Sequence, residues 1–210
     1  MKLLLATHNE HKRREFQRLL AGSGGRDACE VMMLPDELHL PPESGETFVD
    51  NARLKARAAA AATGLPTIAD DSGICASALD GAPGVRSARY AGEQASDLEN
   101  LQKLIREVPA GSELRYVCVI VLVDPRTGVE ELFEGACTGR MEPDVRGEHG
   151  FGYDPAFLPD EGPPGMTMAQ LTDEQKDAIS HRGHAARLLL EHQLRGSKSE
   201  RAPRLSSRGG

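Results

Sequence analysis

The chain has 210 residues, 39% of them hydrophobic, and a formal net charge of -7. That length and apolar content suffice to bury a core as one domain, or as one domain split into two lobes, and they exclude disorder of the whole. The acid excess excludes a global basic field, so polymer DNA or RNA is not an expected partner.

The opening segment KLLLAT reads as a buried strand, and EHKRREFQRLLAGSG follows with Phe16, Leu19 and Leu20 at helical spacing before a glycine stop. Its apolar run is too short for a signal-peptide core, and no later segment is long enough to span a bilayer, so the expected location is cytoplasmic. EVMMLP is a second strand candidate, and PDELHLPPESGETF a loop rich in proline and acid. The alanine-rich TFVDNARLKARAAAAATG predicts a helix capped by Gly64. TIADDSGICA then starts as a strand and meets Asp70 and Asp71, where Asp-Ser-Gly is also ordinary turn chemistry.

SDLENLQKLIREV predicts an amphipathic helix capped at Ser96 or Asp97, with Leu98, Leu101 and Leu104 or Ile105 inward. Two long strands around DPRTG predict a hairpin. LTDEQKDAISHRGHAARLLLEHQL opens on a capping box of Thr172 and Gln175 and closes in a leucine-rich helix. Crossovers of the parallel type together with a hairpin imply an α/β fold with a mixed sheet. The tail from Arg195 to Gly210 holds five basic residues against Glu200 and one leucine; it is expected to be disordered beyond a single domain of residues 1–194. Cys29, Cys75, Cys118 and Cys137 match neither zinc-site nor dense disulfide spacing, and are expected to be buried, reduced thiols.

Four segments carry candidate chemistry. THNEHK, at a strand-to-helix junction, offers free backbone N–H groups to a phosphate, with Thr7 and Asn9 adding hydrogen bonds and Lys12 a charge. It lacks the glycines of a Walker loop. Glu43 in PPESGETF and Asp71 together would supply the one or two carboxylates that Mg²⁺ takes beside substrate phosphates and waters, with Lys55 nearby on a helix. Neighbouring side chains of an extended segment point to opposite sides, so Asp70 and Asp71 are expected to do different jobs: one structural, one facing a cleft and positioning a water. HGFGYDP offers a base-stacking surface, and Lys176, His181 and Arg182 stand at a helix-to-helix transition suited to a base edge or a phosphate.

Six motifs taken in order, THNEHK, ESGETFVDNARLKA, IADDSG, GAPGVRSARYAG, GFGYDP and KDAISHRG, resemble the inosine triphosphate pyrophosphatase family, enzymes that hydrolyse non-standard purine nucleoside triphosphates. The resemblance covers Thr7 to Gly183. It implies an elongated two-lobed fold around a long mixed sheet with a central substrate cleft, a homodimer, Mg²⁺ as cofactor, and release of a nucleoside monophosphate and pyrophosphate from ITP, dITP or XTP. It also implies roles: the stretch Thr7, His8, Asn9, Glu10, His11 and Lys12, with Lys55, on the triphosphate; Glu43 and Asp71 on the metal; Asp71 as base; Ser72 on substrate. Phe151, Gly152, Tyr153, Asp154, Lys176, His181 and Arg182 would bind the nucleoside, and Asp70 would be a supporting acid. His8 departs from the glycine common at that position. Two competing readings are a Maf-like pyrophosphatase acting on other modified or pyrimidine nucleotides, and a nucleotide-binding module without turnover. The second gains nothing from two acids near a polyanion unless a metal intervenes.

Overall fold

The structure, a computed structural model, describes residues 2–21 and 30–200, with side chains described through Arg195. Its strands are β1 (Lys2–Leu5), β2 (Glu30–Met33), β3 (Thr67–Ala76), β4 (Glu113–Asp124), β5 (Val129–Met141) and β6 (Phe157–Pro159). They form one six-stranded sheet in the order β2-β1-β3-β4-β5-β6. β1 pairs parallel with both β2 and β3, and every pairing from β3 to β6 is antiparallel. Parallel neighbours need crossovers, which here are helices: α1 (Glu10–Ala21) between β1 and β2, and α2 (Phe48–Thr63) between β2 and β3. The mixed α/β sheet expected from the sequence is therefore present.

Helix ends follow the local chemistry. Thr47 caps α2 by accepting from the Asp50 N–H, and Gly64, at φ 70°, closes it with an N–H to the Ala60 carbonyl. Reciprocal capping boxes open α3 (Asp97–Glu107) through Ser96 and Glu99, and α4 (Asp173–Ile179) through Thr172 and Gln175. α5 (His181–Glu200) follows directly after Ser180. None of the described helices is long and apolar enough to cross a membrane.

Three apolar clusters share the sheet. Leu3, Leu5, Ile68 and Ile120 pack against Phe16 and Leu20 of α1 and Ala185 and Leu189 of α5. On the opposite face Leu4, Ala69, Val119 and Val121 pack against the alanines of α2. Farther along the long strands, Ile74, Leu114, Tyr116 and Met141 join Leu101 and Leu104 of α3, Phe157 and Leu171. The alternation of residues along β1 and β3 sorts the first two clusters, as a two-residue side-chain period requires.

Four expectations are corrected. β3 does not stop at the aspartates: Asp70 pairs with Ile120 and Asp71 with Val119 within an unbroken ladder to Ala76, so the turn reading of Asp-Ser-Gly fails. Leu98 is 61% exposed; the inward face of α3 is Asn100, Leu101 and Leu104, because the Asn100 amide is needed to accept from Ala91 N–H and donate to the Ala88 carbonyl. Residues 195–200 continue the backbone of α5, since extending a packed helix costs far less than nucleating one; the rest of the expected tail lies outside the described residues. Cys118 and Cys137 are buried, but Cys75 is only half-buried, and Cys29 lies outside the described residues.

Candidate functional site

A cleft of about 310 Å³ runs between the start of α1, the loop before α2, the middle of β3 and the segment after β5. Of the residues singled out in the sequence, it is lined by Thr7, His8, Asn9 and Lys12; by Glu43, Lys55, Asp71 and Ser72; and by Phe151 to Asp154, Lys176, His181 and Arg182. Glu10, His11 and Asp70 do not line it. Glu10 pairs with Arg13 on the same helix, and the His11 ring stacks on Phe151 with centroids 5.0 Å apart. Asp70 lies beneath the cleft.

The junction after β1 is built by its own side chains. Thr7 Oγ1 accepts from Asn9 N–H at 3.2 Å, and Asn9 Oδ1 accepts from Lys12 N–H at 3.0 Å, so Asn9 caps α1. Lys12 is thereby aimed inward, where Nζ meets Asp70 Oδ2 at 3.0 Å.

Asp70 and Asp71 separate cleanly. Asp70 points to the α1/α5 face and is fully buried among cations: Lys12, and Arg182 at 3.6 Å. Burial alone would raise its pKa, but Lys12, Arg182 and Lys55 outweigh it and hold the carboxyl well below the usual range. Asp71 points to the α2 face and into the cleft. Burial pushes its pKa up, Glu43 adds to that, and Lys55 and Lys12 oppose. Its Oδ2 accepts from Asn51 Nδ2 at 2.9 Å and its Oδ1 from the Ser72 N–H at 2.9 Å. Lys55 forms an ion pair with Glu43; burial works against its charge, yet Asp70, Glu43 and Asp71 together raise its pKa.

The other wall is aromatic and buried-polar. Asp154 is its anchor: Oδ2 accepts from Phe151 N–H at 2.9 Å and Lys176 Nζ at 2.6 Å, while Oδ1 accepts from the Tyr116 hydroxyl at 3.1 Å. Gly150, at φ 73°, permits this loop, since a Cβ there would stand 2.1 Å from Asp154 Oδ2. The His181 ring stacks on Tyr116 with centroids 4.6 Å apart and an interplanar angle of 6°. Burial, reinforced by Arg182 and Lys176 and only partly opposed by Glu15 and Asp70, pushes the His181 pKa well below its ordinary value. Arg182 is 1% exposed; its terminal nitrogens are taken by Glu15 and by Ser72 Oγ at 2.8 Å, while its Nε and His181 Nδ1 have no partner.

Charge decides what the cleft can accept. Among its lining residues Lys12, Lys55, Lys176 and Arg182 supply four cations, matched by the four carboxylates of Glu43, Asp71, Asp97 and Asp154, with Asp70 and Glu15 buried behind them. A polyphosphate therefore meets no net positive charge without an added cation. Among the described residues no three His, Cys, Asp or Glu side chains form a metal cage. Glu43 and Asp71, which line the same cleft, are the donor set that fits Mg²⁺, an ion that takes one or two carboxylates and completes its octahedron with water and phosphate.

Sequence reasoning singled out neither Glu15 nor Asn51. Glu15 is buried and holds Lys176 at 2.7 Å and also Arg182; burial raises its pKa, but Arg182 and Lys176 bring it down to about 2. In HKRREF it reads as one more surface charge; its signal is the position directly before Phe16 on the inward side. Asn51 sat inside a quoted motif, and the signal was an amide on the alanine face of α2. Tyr116 was hidden in a strand.

The profile of the Ham1 family matches residues 3–192. A dITP/XTP pyrophosphatase of Corynebacterium glutamicum (strain R) is 45% identical over 201 residues, covering 91% of this chain and 96% of that protein. One from Shigella flexneri is 45% identical over 196 residues, covering 90% and 96%. Among solved structures, a HAM1 protein from Coxiella burnetii superposes with a TM-score of 0.77 at 37% identity, over 93% of this chain and 99% of that one. A nucleoside-triphosphatase, dITP/XTP pyrophosphatase, from Mycobacterium abscessus gives 0.68 at 39% identity, over 90% and 99%. With that match over nearly its whole length, and with the motifs gathered around one cleft, the chain belongs to the Ham1 family.

Proposed function

We propose that the protein is a nucleoside triphosphate pyrophosphohydrolase that converts dITP, XTP and ITP to the nucleoside monophosphate and pyrophosphate, with Mg²⁺ as cofactor. The observation that carries this reading is the two-walled cleft: carboxylates matched one for one by lysines at one side, a buried histidine stacked on an aromatic wall at the other. The first wall suits a metal-neutralised triphosphate, the second a purine. The dITP/XTP pyrophosphatases that resemble the chain over nine-tenths of its length support the same substrate class.

In this reading Thr7, Asn9, Lys12 and Lys55 hold phosphate oxygens. Glu43 and Asp71 hold Mg²⁺, whose chemistry when bound is to neutralise the phosphate charge. Asp71, with one lone pair of each oxygen already engaged, orients a water toward the α-phosphorus and takes its proton. Arg182, which lines the cleft and carries donors only, would meet a 6-oxo acceptor, whereas the 6-amino donor of adenine would find no acceptor there. Guanine shares the 6-oxo group, so its exclusion falls to its 2-amino group, which loses water on entry without gaining an acceptor.

The test incubates the purified protein with ITP, XTP, dITP, GTP and ATP, with and without Mg²⁺, and identifies both products. Pyrophosphate and monophosphate, formed only with the cation and at roughly ten- to a hundredfold higher kcat/KM for the first three, are expected. Orthophosphate and a diphosphate would overturn the reaction class. The homodimer implied by the resemblance is tested by light scattering, which should give twice the chain mass.

A further inference from the structure

Asn51 is fully buried, and both ends of its amide are engaged across the site. Oδ1 accepts from the Gly45 N–H at 2.8 Å, and Nδ2 donates to Asp71 Oδ2 at 2.9 Å. The orientation is fixed by chemistry: a backbone N–H only donates and a carboxylate only accepts, so the amide oxygen must face Gly45 and the nitrogen Asp71. Through Gly45 it grips the loop that carries Glu43; through Asp71 it grips β3. The approach is tight, since a Cβ on Gly45 would lie 2.6 Å from Asp50 Cβ and 2.8 Å from Asn51 Oδ1. Apart from Lys55, which reaches the cleft, the rest of this buried face of α2 is alanine, with Ala52, Ala56 and Ala59 packed on the sheet. Apolar packing there does not call for an amide.

We propose that Asn51 is a positioning residue that sets the separation and orientation of Glu43 and Asp71, so that the pair takes one divalent cation together with a substrate phosphate. The inference rests on the metal reading given above. Asn51 acts through the two carboxylates rather than on substrate. Removing its donor frees Asp71 to rotate; removing its grip on Gly45 lets Glu43 drift.

Two variants separate these effects from mere loss of stability. Asn51→Asp keeps size and the acceptor for Gly45 but turns an oxygen toward Asp71. Gly45→Ala drives a methyl group against Asp50 Cβ and Asn51 Oδ1, breaking the Gly45–Asn51 contact and pushing the loop away while both carboxylates and the Asn51 amide are retained. For each, the Mg²⁺ concentration giving half-maximal hydrolysis, Mn²⁺ binding without nucleotide followed by electron paramagnetic resonance, and Tm are measured. Both variants are expected to weaken Mg²⁺ activation and Mn²⁺ binding by about 10- to 100-fold, the usual cost of losing an outer-shell partner. A lower Tm with wild-type cation dependence and Mn²⁺ affinity would overturn the proposal and leave Asn51 a structural residue. If Asn51→Asp does not fold, Gly45→Ala decides alone. A wild type that turns over without divalent cation and binds no Mn²⁺ would overturn the metal reading itself, an outcome distinct from a cation-dependent wild type with unaffected variants.

Discussion

Two adjacent aspartates in one unbroken strand face opposite sides of the sheet, and that alone gives them different chemistry. Asp70 has no exposure and is stabilised as an anion by Lys12 and Arg182; Asp71 borders the cleft and sits among groups that oppose each other. Asp71→Asn should lower kcat by roughly 10²- to 10⁴-fold with little change in Tm, because in the proposed mechanism it removes both the base and a metal ligand from the cleft. Asp70→Asn should instead cost about 3–5 kcal/mol in denaturant unfolding, because it strands two buried cations. Reversed phenotypes in folded proteins would exchange the assignments. The division of labour was legible in the sequence from adjacency and strand alternation. Alternation alone could not say which aspartate took which role; the resemblance implied Asp71 for the cleft and Asp70 for support, and the partners that separate them come from the first and last helices, contacts that leave no periodic trace in a single sequence.

At the level of elements, α1, α4 and α5 meet over one buried ionic cluster, where Glu15 of α1 holds Lys176 of α4 and Arg182 of α5. The cluster makes stability depend on acid. His181 has a folded pKa well below its unfolded value near 6.5, so the unfolded chain binds the proton first and stability falls as pH drops below about 6.5. Glu15, lowered to about 2 from an ordinary 4.5, contributes stability that is complete above the unfolded value and is lost as pH falls toward 2. Tm followed from pH 7.5 to 3 should therefore decline in two stages, and Glu15→Gln should flatten only the second. An unchanged lower stage in that variant would remove Glu15 from the account. The docking of α5 on the sheet depends on β5, where a Cβ on Gly135 would lie 2.2 Å from the His181 carbonyl oxygen and 2.4 Å from the Ala185 nitrogen. Gly135→Ala should displace the start of α5, raising the KM for ITP several-fold while lowering Tm; an unaltered KM would show that His181 and Arg182 tolerate the shift. The capping boxes, the hairpin and the glycine stop were legible because each is a signal within a few residues. Glu15 and the outward turn of Leu98 were not, because only the packed helices reveal which face is inside.

For the whole molecule, the question is whether the three apolar clusters act as separate bodies. β3 and β4 contribute to all three, with Ile68, Ala69 and Ile74 from one strand and Cys118, Val119 and Tyr116 from the other, while β5 places Phe133 in one cluster and Cys137 and Met141 in another. Their ladders run uninterrupted, from Thr67 paired with Val123 to Ala76 paired with Leu114, and from Glu113 paired with Arg140 to Asp124 paired with Val129. Opening one cluster would thus strip apolar cover from strands whose hydrogen bonds extend into the next. The cleft lies across the same strands, and its walls are joined by Arg182 to Ser72 and by Tyr153 to the Ser87 carbonyl. Unfolding should consequently be a single transition: far-ultraviolet circular dichroism, tyrosine fluorescence and calorimetry should give coincident midpoints, with equal calorimetric and van't Hoff enthalpies. A ligand that contacts both walls should move that one transition as a unit. Inosine monophosphate with Mg²⁺ at about a hundred times its Kd is expected to add roughly 2.7 kcal/mol, shifting all probes together. Separate midpoints, or a shift confined to one probe, would show that the halves of the sheet unfold independently and that the cleft is a seam between two bodies rather than a feature of one.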